Sequence, residues 1–575
     1  MKKYIKALSY LSILLGSSAH ALSTAEEQAC GCDHVISTYS WSVDGNISNF
    51  QPADTVCLDA SVDYGSMKWE HINGTKEDPI VIKNCAGQVY INAHSSTSAS
   101  HSYGWRFYNS KFFKILGNGD SQHQYGIKVS TPKGFHVTME RFTTNFEIAN
   151  VEVAGISSVI DKNTSGFAGI GVKTQPRCDG KSDRDVWTMH DVNIHDNYIH
   201  HVGGEGLYIG YGRYDGFINQ DTKTSCVGRK MYPHAIRGLR VFNNIVKNVG
   251  YDGIQVKNAD SNVAIYNNFI SDYGLLENGN HDEGLFIGDG TEALIYNNWV
   301  DNGLSIKKGH GIQLNGFGNT KVFNNVVINL GVDVNRTLQP AYNKKSSLYL
   351  NNNSNSYSSD KNGTFEIYNN TFIGAQDYGI EAYTGQKIML HNNIFTEYRR
   401  MRSISSNATL IKSANIFEQN ASLLDFIDFP NKDFNLQSTS IAVGTGVNKQ
   451  LAFDYNHSRR VDNVFDIGAY EYGGISASGI PSLTIVTPSL NTPIKRKAVF
   501  VEVELKNASN SFNNIEKVQY ILNDRLIGTD VLPRVTEHWI GGQRFKVGDN
   551  DFYAIGTHFN GEITRSPSIN IRVYD

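Results

Sequence analysis

The sequence predicts an all-β protein: a long solenoid of stacked parallel strands, followed by a small β-sandwich. Three observations predict it. An Asn-Asn step between apolar residues recurs mostly at intervals of twenty-odd residues, and a Gly-apolar-x-apolar motif recurs in step with it. The composition also combines 53 glycines and 11% aromatic residues with only 19% charged residues, which is typical of β-structure rather than helices.

Charge and hydropathy exclude two broad classes of protein. The formal net charge of the 575 residues is −4, which argues against a polybasic nucleic-acid binder. The hydrophobic fraction is 40% and the mean hydropathy is −0.35, which excludes a protein with many membrane spans. We therefore expect no nucleic-acid partner and no membrane span, and we expect the chain to act as a monomer.

The N-terminus predicts export. Three lysines among the first six residues precede a short apolar stretch, and Ala19-His20-Ala21 fits a small-x-small cleavage site, so residues 1–21 are predicted to be a signal peptide. The expected location is periplasmic or extracellular. The chain has six cysteines, an even number that suits disulfides in an exported protein. We expect Cys178 to pair with Cys226, because both follow predicted strands in polar loops.

The Asn-Asn step defines the repeat of residues 22–472. It occurs at Asn243-Asn244, Asn267-Asn268, Asn297-Asn298, Asn324-Asn325, Asn369-Asn370 and Asn392-Asn393, with Asp196-Asn197 as a variant. The spacings between the six pairs are 24, 30, 27, 45 and 23 residues, and the longest is predicted to hold two turns. Such a period without helical patterning predicts strands that stack turn upon turn, with asparagine side chains bonded along the stack.

This pattern resembles a right-handed parallel β-helix of the pectate-lyase-like superfamily. The segment from Pro52 to Ile91 resembles the opening turns of the chondroitinase B/alginate lyase family, and Arg459 to Tyr472 resembles the closing turn of many such helices. The resemblance implies an enzyme that acts on polysaccharides.

A second domain is predicted after a linker of small residues at 473–481. Residues 482–575 resemble an immunoglobulin-like β-sandwich, because short alternating segments recur at sandwich spacing. The predicted strands begin at Leu483, Val499, Val518, Arg525, Phe545, Phe552 and Ile569. No chemistry is expected in this domain.

The Gly-apolar-x-apolar motifs place charged residues at one corner of the solenoid. In the register of the Asn repeat, the residue before the glycine is Glu205, Asp252, Glu283 and His310 in four consecutive turns. Carboxylates stacked this closely raise one another's pKa or need a cation. We therefore expect functional groups in this column, with Glu205, Asp252 and Glu283 as candidate calcium ligands.

The strand after each glycine predicts a binding face. Its alternation directs Tyr208, Gln255, Phe286 and Gln313 outward, where exposed rings and amides would suit a sugar chain. Lys257 also points outward, and Gly210 and Gly288 beside it are expected to leave room for substrate. An insertion from Tyr211 to Ile236, with Arg213 and Tyr214, is predicted to wall the cleft.

One predicted reaction is β-elimination on a uronic acid polymer. The segment from Asp252 to Lys257 resembles the acid-x-Ile-x-Val-Lys segment of the chondroitinase B/alginate lyase family. The resemblance implies that Asp252 helps to bind calcium and that Lys257 is the base. The catalytic arginine of that family has no clear match, so Arg213 or His310 is the candidate acid.

Two alternatives remain open. Asp252-Gly, Asp282-Glu283-Gly and Gly309-His310-Gly resemble steps of polygalacturonase-type inverting hydrolases, which implies Asp282 as acid, Asp252 or Glu283 as base and His310 as the orienting group. A non-catalytic glycan-binding scaffold or adhesin is the third possibility, because solenoids provide long binding faces. An acidic polysaccharide is the expected partner in each case.

Overall fold

The computed structural model describes residues 30–574 with internal gaps. The gaps are 94–101, 121, 162, 277, 280, 289, 303–308, 317–318, 331–345, 352–362, 452, 461–464, 474–481, 488–493, 496–498, 507–514, 524, 532–536, 541–544, 559–562 and 567–568. The predicted signal peptide and almost all of the predicted linker lie outside the described residues. Within the described part of the chain, no helix is long and apolar enough to cross a membrane.

A parallel β-helix with three faces makes up most of the chain. The first face is one sheet, and the other two faces share the second sheet. The first face consists of β1 (His34–Ile36), β3 (Thr55–Asp59), β5 (Ile80–Cys85), β8 (Lys111–Leu116), β11 (Thr144–Ala149), β14 (Thr188–His195), β19 (Ala235–Phe242), β22 (Ala259–Tyr266), β25 (Leu294–Tyr296), β28 (Thr320–Phe323), β31 (Thr364–Tyr368), β33 (Lys387–His391) and β35 (Thr409–Ser413).

The second and third faces run side by side. The second face consists of β6 (Val89–Asn92), β9 (Ile127–Ser130), β12 (Val151–Ala154), β15 (Tyr198–His200), β20 (Ile245–Lys247), β23 (Phe269–Ser271), β26 (Trp299–Asp301), β29 (Val326–Ile328) and β36 (Ile416–Glu418). The third face consists of β2 (Ser42–Asp44), β4 (Met67–Glu70), β7 (Tyr103–Tyr108), β10 (Phe135–Glu140), β13 (Ala168–Val172), β16 (Leu207–Ile209), β21 (Ile254–Val256), β24 (Leu285–Ile287), β27 (Ile312–Leu314) and β30 (Leu348–Asn351). The long strands β32 (Thr371–Tyr383) and β34 (Ile394–Ile404) cross both faces.

The Asn-Asn step makes the corner between the first and second faces. The first asparagine of each pair has a φ of 51–54°, a left-handed conformation that asparagine tolerates well. The second asparagine points inward, and each side-chain amide donates to the next one at 2.9–3.0 Å. This stack, which we call the Asn ladder, comprises Asn197, Asn244, Asn268, Asn298, Asn325, Asn370, Asn393 and Asn415.

The 45-residue interval was predicted to hold two turns, and that prediction is wrong. The Asn325 amide donates directly to the Asn370 side chain at 2.9 Å, so the two residues occupy adjacent rungs. The interval is one turn with long insertions around β30. The number of residues between two rungs therefore does not give the number of turns where residues are inserted between strands.

Apolar side chains fill the space between the three faces. The inward residues of the third face, such as Leu207, Ile254 and Leu285, are fully buried in this core. Outside the first face, aromatic rings stack at centroid distances of 4.5–5.2 Å from His195 to Tyr368. The repeat thus stabilises each turn through its inner and its outer surface.

The chain after β36 folds back over the last turns. It forms the 3-10 helix η1 (Ala421–Leu424) and the hairpin of β37 (Phe426–Asp428) and β38 (Asp433–Leu436). The segment that resembles a closing turn contains no strand among its described residues. It is held instead by a buried ion pair between Arg460 and Glu471, with 2.7 Å between Nη1 and Oε2.

The C-terminal domain is a two-sheet sandwich. One sheet contains β39 (Ser482–Thr487), β41 (Val499–Lys506) and β44 (Glu537–Ile540). The other contains β40 (Ile494–Lys495), β42 (Ile515–Leu522), β43 (Arg525–Val531), β45 (Gly548–His558), β46 (Ile563–Arg565) and β47 (Ile569–Tyr574). The strand predicted at Phe545 is absent, although Phe545 itself is buried in the sandwich core.

Three disulfides link the six cysteines. Cys178 pairs with Cys226 as predicted, and the other pairs are Cys30–Cys85 and Cys32–Cys57. The Cys178–Cys226 bridge ties the insertion after β16 to the loop after β13. In the insertion, β17 (Phe217–Ile218) and β18 (Lys230–Met231) form a short antiparallel hairpin.

Candidate functional site

Glu205, Asp252, Glu283 and His310, which we call the charged column, lie on four consecutive turns. Each of them comes two residues before a strand of the third face. The N–H of the glycine after each charged residue donates to the backbone oxygen of the next residue in the column. Gly206 donates to Asp252 at 2.9 Å, Gly253 to Glu283 at 2.9 Å and Gly284 to His310 at 3.0 Å. A Cβ at any of these glycines would lie 2.3–2.4 Å from a Val or Ile methyl group of the second face. The glycine is therefore required by packing, and it fixes the residue before it in the column.

Three carboxyl groups of the column are buried. Glu205, Asp252 and Glu283 have exposed fractions of 1%, 0% and 4%. Both side-chain oxygens of Glu205 and Oδ2 of Asp252 accept no hydrogen bond from any described residue. Burial raises the pKa of all three, and the pKa of Asp252 reaches about 7 with a further contribution from Glu205.

Glu283 is partnered differently from the other two acids. Its backbone N–H donates to Oδ1 of Asp252 at 3.0 Å, and its Oε2 accepts from the backbone N–H of Asp282 at 3.0 Å. The side chains of Asp252 and Glu283 also bond to each other, which raises the pKa of Glu283 further. The contact therefore disfavours the ionisation of both carboxyl groups at once.

His281 joins the column from the loop before β24. Its Nδ1 lies 3.4 Å from Oε1 of Glu205 and 3.5 Å from Oδ2 of Asp252, and its ring stacks on Tyr251. Burial lowers the pKa of His281 and so favours the neutral imidazole. The sequence reasoning missed this residue because it lies outside the repeated motif. The only signal was its place beside Asp282 and Glu283.

The metal-ligating atoms of Glu205, Asp252 and His281 are placed so that they could hold a divalent cation. They lie within 4.8 Å of one another, and most of them have no hydrogen-bond partner among the described residues. Carboxylate oxygens and a neutral imidazole are ordinary ligands of divalent ions. This group contains Glu205 and Asp252 of the three predicted ligands together with His281, and it does not contain Glu283.

The side chain of Lys257 lies against Gly288, one of the two glycines that were expected to leave room for substrate. A Cβ at Gly288 would lie 2.6 Å from Cγ of Lys257, and a Cβ at Gly212 would lie 3.8 Å from its Nζ. The ammonium group lies 4.8 Å from the centroid of the Phe286 ring. The glycine at 288 thus accommodates the stem of the lysine and not a sugar.

A second lysine, Lys173, lies near the first. Its exposed fraction is 8%, and its Nζ lies 3.9 Å from the centroid of the Tyr208 ring. Burial lowers its pKa to about 8, an effect that Glu205 partly offsets and Lys257 increases. The sequence analysis assigns no role to Lys173, because its turn has Ala168 where the next four turns have a charged or titratable residue.

The four residues that were predicted to point outward from the third face are less exposed than predicted. Gln255, Phe286 and Gln313 point away from the core, as the alternation required, but they are buried at 0%, 6% and 8%. Tyr208 is half-buried beneath Lys173. The prediction of an exposed aromatic row is wrong, because long side chains fold over the strand instead of leaving it open.

The insertion after β16 is built around its own contacts. Arg184 donates to the backbone oxygen of Tyr214 at 2.7 Å and lies over its ring. The ring of Tyr211 stacks on Phe217 at 5.9 Å, and the exposed Arg213 lies over the same ring. The structure therefore places Arg213, Tyr211 and Tyr214 in one loop cluster, in which Tyr211 also lies 5.5 Å from Nζ of Lys173.

His310 and Asp282 lie at the other end of the column. Nδ1 of His310 accepts from the backbone N–H of Ser346 at 3.1 Å, so the ring proton of the neutral form is on Nε2. The ring stacks on Tyr349 at 4.2 Å. Asp282 is 3% exposed and precedes Glu283 directly.

Comparisons with known proteins agree with the fold. A family described as "Right handed beta helix region" matches residues 185–395. No curated protein sequence gives a significant match. Residues 185–395 therefore match a right-handed β-helix, which agrees with the stacked parallel strands described above.

Three solved structures resemble parts of the chain remotely. A pectate lyase, Pel9A, is 13% identical over 77% of this chain and 98% of its own, with a TM-score of 0.34. An alginate lyase from Paenibacillus sp. str. FPU-7 is 13% identical over 66% of this chain and 99% of its own, with a TM-score of 0.30. Fibronectin(III)-like modules of Clostridium thermocellum CbhA are 22% identical over 16% of this chain and 93% of theirs, with a TM-score of 0.14.

Proposed function

We propose that this protein is an exported polysaccharide lyase that cleaves a uronic-acid-containing polymer by β-elimination. The observation that supports it is the pairing of two unlike groups at one place on the β-helix. Lys257, which has no hydrogen bond or ion pair with a described residue, lies near buried carboxyl oxygens that accept no hydrogen bond, both of Glu205 and Oδ2 of Asp252. A protein without chemistry or ligands at this place gains nothing from either group.

Lys257 is proposed as the base. In its neutral form, Nζ takes the proton from C5 of the uronate, and the electron pair moves toward the carboxyl group. The pair then forms the C4–C5 double bond and expels the oxygen at C4, which takes up one proton. His310 is the proposed donor to that oxygen, because its neutral ring carries the proton on Nε2.

Glu205, Asp252 and His281 would hold a divalent cation. When bound, such an ion supplies positive charge that neutralises the substrate carboxylate and so makes the C5 proton more acidic. The residues of this chain contribute a rigid site for it, because Glu205 and Asp252 are fixed by glycines that packing requires. Calcium is the proposed ion, although the imidazole of His281 would also suit manganese or zinc.

Two carboxyl pairs of the column are too close together to act as an inverting pair, and the alternative with Asp282 as the acid is decided by the test below. An inverting pair needs a separation of roughly 6.5–9.5 Å between carboxyl groups, with a water molecule between them. Ligand oxygens of Glu205 and Asp252 lie within 4.8 Å of each other, and the side chains of Asp252 and Glu283 are in direct contact. This spacing leaves no room for the water in these two pairs.

Export and an acidic substrate complete the proposal. Three disulfides suit a protein that folds in an oxidising compartment, such as the periplasm or the extracellular space. Two lysines near the column suit a polymer that carries carboxylates.

The test is turnover on acidic polymers with two simultaneous readouts. The purified mature protein is incubated with alginate, polygalacturonate and hyaluronate, and with neutral dextran as control, each with calcium or with chelator. Absorbance of the unsaturated product and new reducing ends should rise together on at least one acidic polymer, and chelator should suppress both. Reducing ends without absorbance would mean hydrolysis and would contradict the proposal.

A further inference from the structure

Lys173 and Lys257 occupy equivalent places two rungs apart. Each lysine directly follows the third-face strand of its turn, and Gly210 follows the third-face strand of the turn between them. A Cβ at Gly210 would lie 1.8 Å from the backbone oxygen of Lys257, so this rung must lack a side chain. Rungs are about 4.8 Å apart, which separates the two lysine backbones by roughly 10 Å with an empty rung between them.

The surroundings of Lys173 do not explain its charge. Among the described residues, its ammonium group has neither an ion-pair nor a hydrogen-bond partner. It lies among aromatic rings instead, at 5.4 Å from Phe135, 3.9 Å from Tyr208 and 5.5 Å from Tyr211. The charged and titratable groups that act on it at longer range are Glu205, Glu140 and Lys257.

Other outward lysines of the β-helix show what a structural role looks like. Lys114 pairs with Glu147, and Lys128 pairs with Glu152, each at 2.7 Å and each with a glutamate on the next rung. A lysine that is only 8% exposed and has no counter-charge loses hydration, which the cation–π contact with Tyr208 replaces in part. Lys173 therefore differs from these two lysines in having aromatic rings and no described carboxylate as its neighbours.

We propose that Lys173 binds a second carboxylate of the polymer, on a sugar near the one that Lys257 deprotonates. Gly210 places no side chain between the two lysines, and the rings of Tyr208 and Tyr211 near Lys173 offer apolar faces to a sugar ring. The cleft then selects polymers that present more than one carboxylate to the same side. This inference rests on the proposed function for the role of Lys257 but not for the binding itself.

The experiment measures binding without turnover. All proteins carry Lys257→Met, which removes the proposed base and so prevents turnover during the measurement. Isothermal titration calorimetry with alginate, polygalacturonate and hyaluronate compares this protein with versions that also carry K173Q, K173M or K173R. Lys412, exposed on the first face, provides the matched control K412Q. Circular dichroism confirms that each variant is folded.

The expected result is a loss of affinity of roughly tenfold to a hundredfold for K173Q and K173M on the acidic polymer that binds best. K173R should recover most of it, K412Q should change nothing, and dextran should not bind. A second readout needs no loss of the side chain. Affinity of the Lys257→Met protein should fall more steeply from pH 8 to pH 10 than affinity of its K173R version, because arginine stays protonated over this range and lysine does not.

The outcomes separate the two proposals. Binding that depends on Lys173, in a protein whose wild type forms no unsaturated product, would overturn the lyase and leave this inference standing. Unsaturated product from the wild type, with K173Q binding as tightly as its parent, would overturn the inference alone. If the Lys257→Met protein binds none of the acidic polymers, the inference is also wrong.

Discussion

Two columns of buried polar residues run along the same β-helix, and they differ in how far their hydrogen-bonding groups are satisfied. The Asn ladder is buried and fully bonded, because each amide both donates and accepts. The column from Glu205 to Glu283 is as deeply buried, but its oxygens can only accept when ionised, and several have no partner. Stacking therefore stabilises asparagine, whose amide donates to and accepts from the identical side chain on the next rung. It destabilises ionised carboxylates, which can only accept and which repel one another.

This difference separates a structural repeat from a functional one. Both columns follow the period of the solenoid, so period alone cannot distinguish them. Chemical self-complementarity can, because an uncompensated row of acids persists in a fold only where a ligand or a reaction uses it. Substitutions that convert one kind of column into the other test this view.

The largest effect is expected from an acid placed in the Asn ladder. In Asn298→Asp, the side chain loses the donor to Ile265, Tyr296 and Asn325 and buries a charge between two amides. The free energy of unfolding should fall by about 4 kcal/mol or more. Urea denaturation of the wild type and the variant measures this. A loss below about 1 kcal/mol would show that the ladder tolerates carboxylates.

Removing the proposed base should affect turnover and not stability. Lys257→Met keeps the stem that packs over Gly288 and deletes the amine, so the melting temperature should stay near that of the wild type. The kcat on the best polymer should fall by about 10²–10⁴-fold. Initial rates from product absorbance provide the measurement, with Lys412→Met as the control. Retained turnover would remove Lys257 from the reaction.

Replacing an acid of the column by an amide should relieve repulsion. In chelator, the raised pKa of Asp252 means that the folded state holds a proton that the unfolded state has already released. Its contribution to stability therefore declines as the pH rises from about 4 to about 7. Asp252→Asn should flatten this part of the pH profile and raise the free energy of unfolding at pH 8 by about 1–2 kcal/mol.

The same variant should lose the cation. Calcium should raise the melting temperature of the wild type and leave that of the Asp252→Asn variant unchanged. The reason is that an amide replaces one ligating carboxylate of the site. If the variant is less stable than the wild type in chelator, the column is a structural element and the contrast with the Asn ladder fails.

The sequence predicts what repeats and misses what does not. The Asn ladder and the register of the charged column follow from residue identity, because equal positions in successive turns must stack. His281 and the packing around Lys173 depend on loops and on contacts between turns, which carry no period. The coverage of Gln255 and Phe286 depends on where long side chains fold, and the single turn between Asn325 and Asn370 depends on an insertion whose path its length does not fix.

The smallest effect is expected at the end of the Asn ladder. Asn415 accepts from the backbone and side chain of Asn393 and donates to two backbone oxygens, but no further rung follows it and it is only half-buried. Asn415→Ala should lower the free energy of unfolding by about 1 kcal/mol, because water can replace the lost partners. Asn298→Ala, in the middle, should lower it by about 2–4 kcal/mol, since the bonds of two rungs are broken out of reach of water. Equal losses at both positions would mean that the ladder acts through each rung alone; the predicted inequality means that its stability comes from enclosure between identical neighbours, the condition that the acid column cannot meet.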